Sequence, residues 1–105
     1  MDKDKIYIEQ IKEFCQKIIK FADVDFESFV EDEKLNLAIV KLIENIGEAS
    51  KRISEPTKAQ HPTVDWKKAM AMRDKLVHDY MDVDLAIVFD VATTEVPALL
   101  KNLQE

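Results

Sequence analysis

A short segment in the second half of the sequence holds the side chains best suited to acid–base chemistry on an anion. They are Arg73, Asp74, His78 and Tyr80. An imidazole that titrates near neutrality can take up or release a proton at physiological pH. A guanidinium offers a planar fork of N–H donors to a phosphate or another oxyanion and stays charged. Together these residue types predict proton transfer beside a held oxyanion.

The spacing of these residues on a helix places some of them together and others apart. Asp74 and His78 are four residues apart, so they would share a helix face in the favourable order for a charge pair. Such a neighbour raises the pKa of the imidazole. Arg73 and His78 would point about 140° apart on a continuous helix. We therefore expect either that the helix unwinds near His78 or that a second copy completes the cleft.

Arg73 is itself out of place on the predicted helix. At about 100° per residue it lies in the middle of a stripe formed by Trp66, Ala69, Met70, Leu76, Val77 and Tyr80. A permanently charged group is rarely buried without a partner. Two interpretations follow: Arg73 is a buried salt-bridge partner of Glu44 or Glu48, or the stripe is a site that faces a second surface and an anionic ligand.

Helical periodicity dominates the chain and predicts an all-α fold. Four amphipathic helices are expected, at about residues 3–22, 31–53, 65–80 and from 82 or 84 to 103, with a short helical turn within 23–29 and the longest loop at 54–64. Mostly short connections predict an antiparallel four-helix bundle. We expect a single domain over residues 1–105.

Individual residues mark the helix ends and irregularities. Asp25 is a candidate cap for the short turn, Thr63 or Asp65 for the third helix, and Asp82 or Asp84 for the fourth. Gly47 inside the second helix costs about 1 kcal/mol relative to Ala, which predicts close approach of a neighbouring helix. Pro97 cannot donate its backbone hydrogen bond, so a kink or break is expected near Thr93.

Composition excludes several classes of protein. No stretch approaches the roughly 20 apolar residues of a membrane span, and the N-terminus has no signal-peptide core, so a cytoplasmic location is expected. Cys15 is the single cysteine and is interpreted as a packed core thiol. With two histidines and one glycine in the chain, we expect neither a metal site nor a Gly-rich phosphate loop, and no cofactor.

Charge is distributed unevenly along the chain. The net charge is −6, which argues against general nucleic-acid binding. Residues 51–75 nevertheless hold seven basic and three acidic side chains, against eight basic and eighteen acidic elsewhere. The basic stretch is either an incidental solvated surface or part of an anion site. In the second case Lys67 and Lys75 are expected to contact the substrate beside Arg73.

The motif and several flanking segments resemble the HEPN superfamily of helical ribonucleases, in particular its HepT-type toxins. The matching segments, in order, are Asn45–Ala49, His61 and Pro62, Trp66, Met72–Tyr80, and Val96–Leu99. They extend over nearly the whole chain. Position 74 is often Asn in such motifs, and Asp74 is a modest departure that could strengthen His78 yet repel phosphate.

The resemblance implies a fold, an activity and partners. It implies a HEPN-like homodimer in which two motifs surround one cleft and cleave RNA without a metal, the ribose 2′-hydroxyl attacking the adjacent phosphate. His78 would be the general base or acid, Arg73 would hold the phosphate, and Asp74 would position them. It also implies an MntA-type nucleotidyltransferase antitoxin that transfers AMP to Tyr80, in a type VII-like toxin–antitoxin system.

A non-catalytic module of the same fold is the competing interpretation. Such a module would use Arg73 to bind a nucleotide or a partner chain, and it would not cleave RNA. Trp66 and Phe89 are interpreted as core residues in either case, and Tyr80, without the resemblance, as an aromatic residue that ends the helix face.

Overall fold

The computed structural model describes residues 2–76 and 83–105, and these residues are arranged in helices. The α-helices are α1 (Lys3–Phe21), α2 (Phe26–Glu31), α3 (Glu33–Lys51), α4 (Glu55–Ala59), α5 (Trp66–Met70), α6 (Leu85–Asp90) and α7 (Val96–Gln104). A 3-10 turn covers Asp74–Leu76 and a π-helical turn covers Val91–Glu95. The predicted all-α fold class is confirmed.

The core lies between the long helices, where apolar residues recur at three- and four-residue steps. Helix α1 packs against α3 and α7, and α5 packs against α3. The completely buried aliphatic side chains include Ile11, Ile18, Ile39, Ile43, Ile46, Val88, Val91 and Val96. Cys15 is fully buried among them, and burial raises its pKa to about 12, so the prediction of a packed core thiol is confirmed.

A polar contact shows that α1 and α3 are antiparallel. The backbone N–H of Ser54, just after α3, donates to the carboxylate of Asp4 at the start of α1 over 3.1 Å. The hydroxyls of Ser54 and Thr57 donate to the same carboxylate, and these hydrogen bonds lower the pKa of Asp4. The end of α3 therefore lies beside the beginning of α1.

Aspartates cap the helices where the sequence predicts them. Asp25 accepts from the backbone N–H of Ser28, Asp65 from that of Lys68, and Asp84 caps α6. These carboxylates satisfy N–H groups that a helix start leaves unpaired. Of the alternatives, Asp65 rather than Thr63 begins α5, and Asp82 lies outside the described residues.

Pro97 distorts the last helix at the predicted place. The chain remains helical between α6 and α7 but widens at Val91–Glu95, where the backbone N–H of Val96 donates to the carbonyl of Val91, five residues back. A proline cannot donate to the carbonyl four residues before it, which here is Thr93. A π-turn accommodates this without ending the helix.

Two predicted boundaries are wrong. The expected loop at 54–64 contains α4, with Pro56 in its first turn, a position that proline favours. The third helix, expected to run from 65 to about 80, ends as an α-helix at Met70. Residues 77–82 of that prediction lie outside the described part. None of the helices in residues 2–76 and 83–105 has the length and apolar character that a membrane span requires.

Candidate functional site

The end of α5 changes which residues face the core. After Met70 the backbone N–H of Ala71 still donates within α5, but that of Leu76 donates to the carbonyl of Arg73, three residues back. A 3-10 turn advances each residue further around the axis than an α-helix does. The apolar stripe predicted for one continuous helix therefore does not continue past α5.

This change of phase explains Arg73. Met72 and Leu76 are 2% and 1% exposed, so they, together with Ala69, supply the buried side of the segment. Arg73 is only half-buried. The prediction that Arg73 occupies the middle of the apolar stripe is wrong because it assumed uninterrupted α-helical geometry. The charge lies at the edge of the core, where solvent still reaches it.

Gly47 determines how closely α5 approaches α3. A Cβ atom at this position would lie 3.3 Å from the carbonyl oxygen of Met70 and 3.7 Å from that of Ala69. The predicted close approach of a neighbouring helix at Gly47 is confirmed. Since Met70 is the last residue of α5, this contact also positions the turn that carries Arg73.

Arg73 and Asp74 line a groove between α3 and the end of α5. Its volume is about 200 Å³, and its other lining residues are Lys41, Glu44, Asn45, Gly47, Glu48, Lys51 and Met70. Three basic and three acidic side chains therefore share it. Sequence reasoning missed Lys41 as a member, although Lys41 and Asn45 are one α-helical turn apart. The sequence places both residues on one face of α3, but it does not show that the end of α5 lies beside that face.

Arg73 is not held by either predicted carboxylate. Among residues 2–76 and 83–105, no ion pair within 4.0 Å joins it to Glu44 or Glu48, and Glu48 pairs instead with Lys51 at 3.7 Å. The interpretation of Arg73 as a buried salt-bridge partner of these residues is therefore wrong. Its side chain lines a solvent-accessible groove.

Asp74 is exposed and begins the 3-10 turn. Its predicted pairing with His78 relied on the four-residue spacing of an α-helix, which the chain does not have at Asp74–Leu76. The pairing of Asp74 with His78 stays a prediction, but α-helical spacing no longer supports it. His78 and Tyr80 themselves lie outside the described residues.

Much of the basic stretch is neutralised within the chain. Glu95, whose side chain is 11% exposed, pairs with Lys68 at 3.3 Å and with Lys75 at 2.6 Å. Lys58 pairs with Glu55 at 3.6 Å. Lys67 is exposed, and its role in substrate binding, like that of Lys75, stays a prediction. Sequence reasoning missed Glu95 because only the packing of the π-turn beside α5 brings it to these lysines.

Metal-ligating side chains do not cluster in the part of the chain that is described. No group of three or more His, Cys, Asp or Glu residues there could hold an ion. The groove with Arg73 is lined by a guanidinium, ammonium groups, carboxylates and an amide. Such groups can bind an oxyanion and orient it by charge and hydrogen bonding.

Comparison with known proteins supplies the family. The family model described as "Ribonuclease HepT-like" matches residues 6–105. The protein named "Putative RNase TTE0752" from Caldanaerobacter subterraneus subsp. tengcongensis is 36% identical over 106 residues, covering 100% of this chain and 95% of the relative. "Probable ribonuclease HepT" from Thermococcus cleftensis is 38% identical over 96 residues, covering 90% of this chain and 87% of the relative. No solved structure gave a significant match.

These matches confirm the resemblance seen in the motif and favour an enzyme over a non-catalytic module. The match extends across α1 to α7 and includes the groove with Arg73. The chain belongs to the HepT-like ribonuclease family, and its enzyme class is that of an endoribonuclease.

Proposed function

We propose that this chain is a metal-independent endoribonuclease toxin that acts as a homodimer, with residues 1–105 as one HEPN-like domain in a four-helix bundle. The observation that carries the proposal is the place of Arg73, half-buried at the edge of the core in a groove open to solvent. A charge that does not stabilise the core through Glu44 or Glu48 is well suited to hold a phosphate.

The proposed reaction needs one anion-binding group and two proton transfers. The ribose 2′-oxygen attacks the adjacent phosphorus while a general base takes the hydroxyl proton. The bond from phosphorus to the 5′-oxygen breaks, and a general acid protonates that oxygen. The products are a 2′,3′-cyclic phosphate and a 5′-hydroxyl. Arg73 binds the non-bridging oxygens and stabilises the charge that develops on them.

His78 is the proposed proton-transfer residue, and a homodimer supplies two copies of it. One ring removes the 2′-proton and the other protonates the leaving oxygen, so neither has to do both at once. Asp74 orients the motif from the groove edge. The even balance of basic and acidic side chains around Arg73 makes a second protomer useful, because it adds another Arg73 to the phosphate site.

The nuclease proposal is tested with purified protein and cellular RNA in EDTA. We expect cleavage by the wild type, and loss of about 10²–10⁴-fold in His78→Ala, the usual contribution of a general acid or base. Cleavage products should end in a cyclic phosphate. Equal cleavage by the two proteins, or cleavage abolished by EDTA, would contradict the proposal.

We also propose that a MntA-type nucleotidyltransferase antitoxin silences the enzyme by transferring AMP to the Tyr80 hydroxyl. The phenolic oxygen attacks the α-phosphorus of ATP, and pyrophosphate leaves. The added phosphodiester would bring negative charge next to the motif that must bind RNA phosphate. Because Tyr80 is only seven residues from Arg73, charge repulsion gives this modification a direct route to inhibition.

The regulatory proposal is tested with a purified MntA-type nucleotidyltransferase, ATP and Mg²⁺. We expect a mass increase of one AMP group and loss of RNA cleavage, and neither in Tyr80→Phe. An unmodified wild-type chain, or modification at another residue, would overturn the regulatory proposal and leave the nuclease test unaffected.

A further inference from the structure

A second groove lies directly beside the one that holds Arg73. It runs between α1 and α3, has a volume of about 180 Å³, and is lined by Tyr7, Gln10, Phe14, Asn45, Glu48, Ala49 and Arg52. Asn45 and Glu48 line both grooves. The two therefore form adjoining depressions along one side of α3.

The side chains in this second groove suit a nucleotide. Tyr7 is half-buried and presents an aromatic ring, while Arg52 is exposed and takes part in no ion pair within the described part of the chain. Aromatic rings stack with unpaired bases, and amide side chains such as Asn45 read their edges. An exposed guanidinium adds a fork for the neighbouring phosphate.

The two arginines of the sequence are thus placed in adjoining grooves. Arg52 and Arg73 are the chain's only arginines, and each lines one of them. Arg52 is the C-cap residue of α3 and follows Gly47, the contact point of α5, by five residues.

We propose that the groove between α1 and α3 binds the nucleotide that flanks the cleavage site, with Tyr7 stacking on its base and Arg52 contacting its phosphate. The substrate is then single-stranded RNA, because a base must leave its stack to enter the groove. This inference rests on the proposed function, in which Arg73 holds the phosphate that is cleaved.

A purely structural role for Arg52 makes a different prediction. As a cation at the C-terminal end of α3, Arg52 would stabilise the helix dipole by a small amount. Its loss would then change stability slightly and leave RNA binding as it is. Substrate affinity therefore distinguishes the two roles.

The test compares Arg52→Gln with Lys34→Gln, a matched loss of one positive charge at the other end of α3, about 27 Å away along the helix. On single-stranded RNA of about six nucleotides, we expect KM to rise about tenfold in Arg52→Gln with kcat nearly retained. The rise should be smaller on a dinucleotide, because its single phosphate binds Arg73 and leaves none for Arg52. Lys34→Gln should match the wild type.

Tyr7 gives a second, independent variant pair. Tyr7→Phe keeps the ring, and Tyr7→Leu keeps apolar packing but removes the stacking surface. We expect affinity for the six-nucleotide RNA to be retained in Tyr7→Phe and to fall about tenfold in Tyr7→Leu. Equal affinities in two folded variants would overturn the role of Tyr7 in base stacking.

Binding of a fully 2′-O-methylated single strand separates this inference from the proposed function, since it has no attacking hydroxyl. Fluorescence anisotropy should show binding by the wild type and by Lys34→Gln, and weaker binding by Arg52→Gln, even if no RNA is cleaved. Equal binding by all three, tighter binding of duplex than of single strand, or a change of oligomeric state in place of affinity would overturn the inference.

Discussion

Helix α3 continues without interruption for 19 residues, whereas α5, which packs against it, ends after five. The long helix supplies buried side chains at regular steps and one face of the core. The short helix is followed by a turn in which Met72 and Leu76 are buried, whereas Arg73 and Asp74 line a groove. Regular periodicity is thus associated with stability here, and its interruption with the candidate site.

The difference shows how to interpret a charge on a predicted apolar stripe. An arginine in such a stripe indicates either a buried ion pair or an error in the assumed helix. Here the helix ends, Met72 and Leu76 take the buried positions, and Arg73 lines the groove. The anomaly in the sequence marks the place where the helical phase changes.

The largest loss of stability is expected from a substitution in the core of α3. Ile43 is completely buried, so Ile43→Ala should lower the free energy of unfolding by about 2–5 kcal/mol through lost burial and a residual cavity. Urea denaturation checks this. Ile43→Val, which removes one methylene group, should cost about 0.5–1.5 kcal/mol. If Ile43→Ala lowers the unfolding free energy by less than about 2 kcal/mol, α3 does not hold the core together.

The buried thiol of α1 gives a pH-dependent test of the same core. Burial raises the pKa of Cys15 from 9.0 to about 12, so the folded state retains a proton that the unfolded state loses. The contribution of the Cys15 thiol to the free energy of unfolding is fully present below pH 9 and is lost as pH rises towards 12. At pH 10 the loss should be about 1 kcal/mol relative to pH 7.

The control for this pH effect is Cys15→Val, which cannot ionise. Between pH 9 and 12 the unfolding free energy of the wild type should fall relative to that of Cys15→Val. A constant difference over this range would contradict a thiol that stays protonated in the folded chain.

Gly47 connects the two regions and should affect them unequally. Gly47→Ala gains about 1 kcal/mol of helix propensity but places a Cβ atom 3.3 Å from the carbonyl oxygen of Met70. We expect the unfolding free energy to change by less than about 1 kcal/mol. RNA cleavage should fall several-fold, since a small displacement of α5 moves Arg73. Wild-type cleavage would show that this contact does not position the groove.

Sequence periodicity predicted the regular part of the fold more accurately than the site. The faces of α1 and α3, the caps at Asp25 and Asp84, and the irregularity before Pro97 follow from local rules that the chain obeys. The end of α5 does not, because Ala71 and Met72 are good helix formers and no proline or glycine marks the boundary. The packing of α5 on Gly47 is a tertiary feature that local propensity does not contain.

The candidate residues follow from chemical type and family resemblance and stay predictions, whereas the geometry assumed for Arg73 is wrong. Arg73 was predicted in the middle of a stripe and lies at a groove edge. Lys75, expected to contact substrate, is paired with Glu95, a residue twenty positions away. Pairings over such sequence distances depend on how elements pack, which the spacing of residues within one helix cannot reveal.

The central claim is that Arg73 serves function rather than stability, and Arg73→Ala tests it when unfolding and RNA cleavage are measured on the same preparation. We predict an unfolding free energy within about 1 kcal/mol of the wild type. Cleavage in EDTA should be about 10²–10³-fold slower, as expected when one group that stabilises developing charge is removed. A cost of about 3–5 kcal/mol, typical of a broken buried ion pair, or undiminished cleavage by the folded variant would contradict the claim.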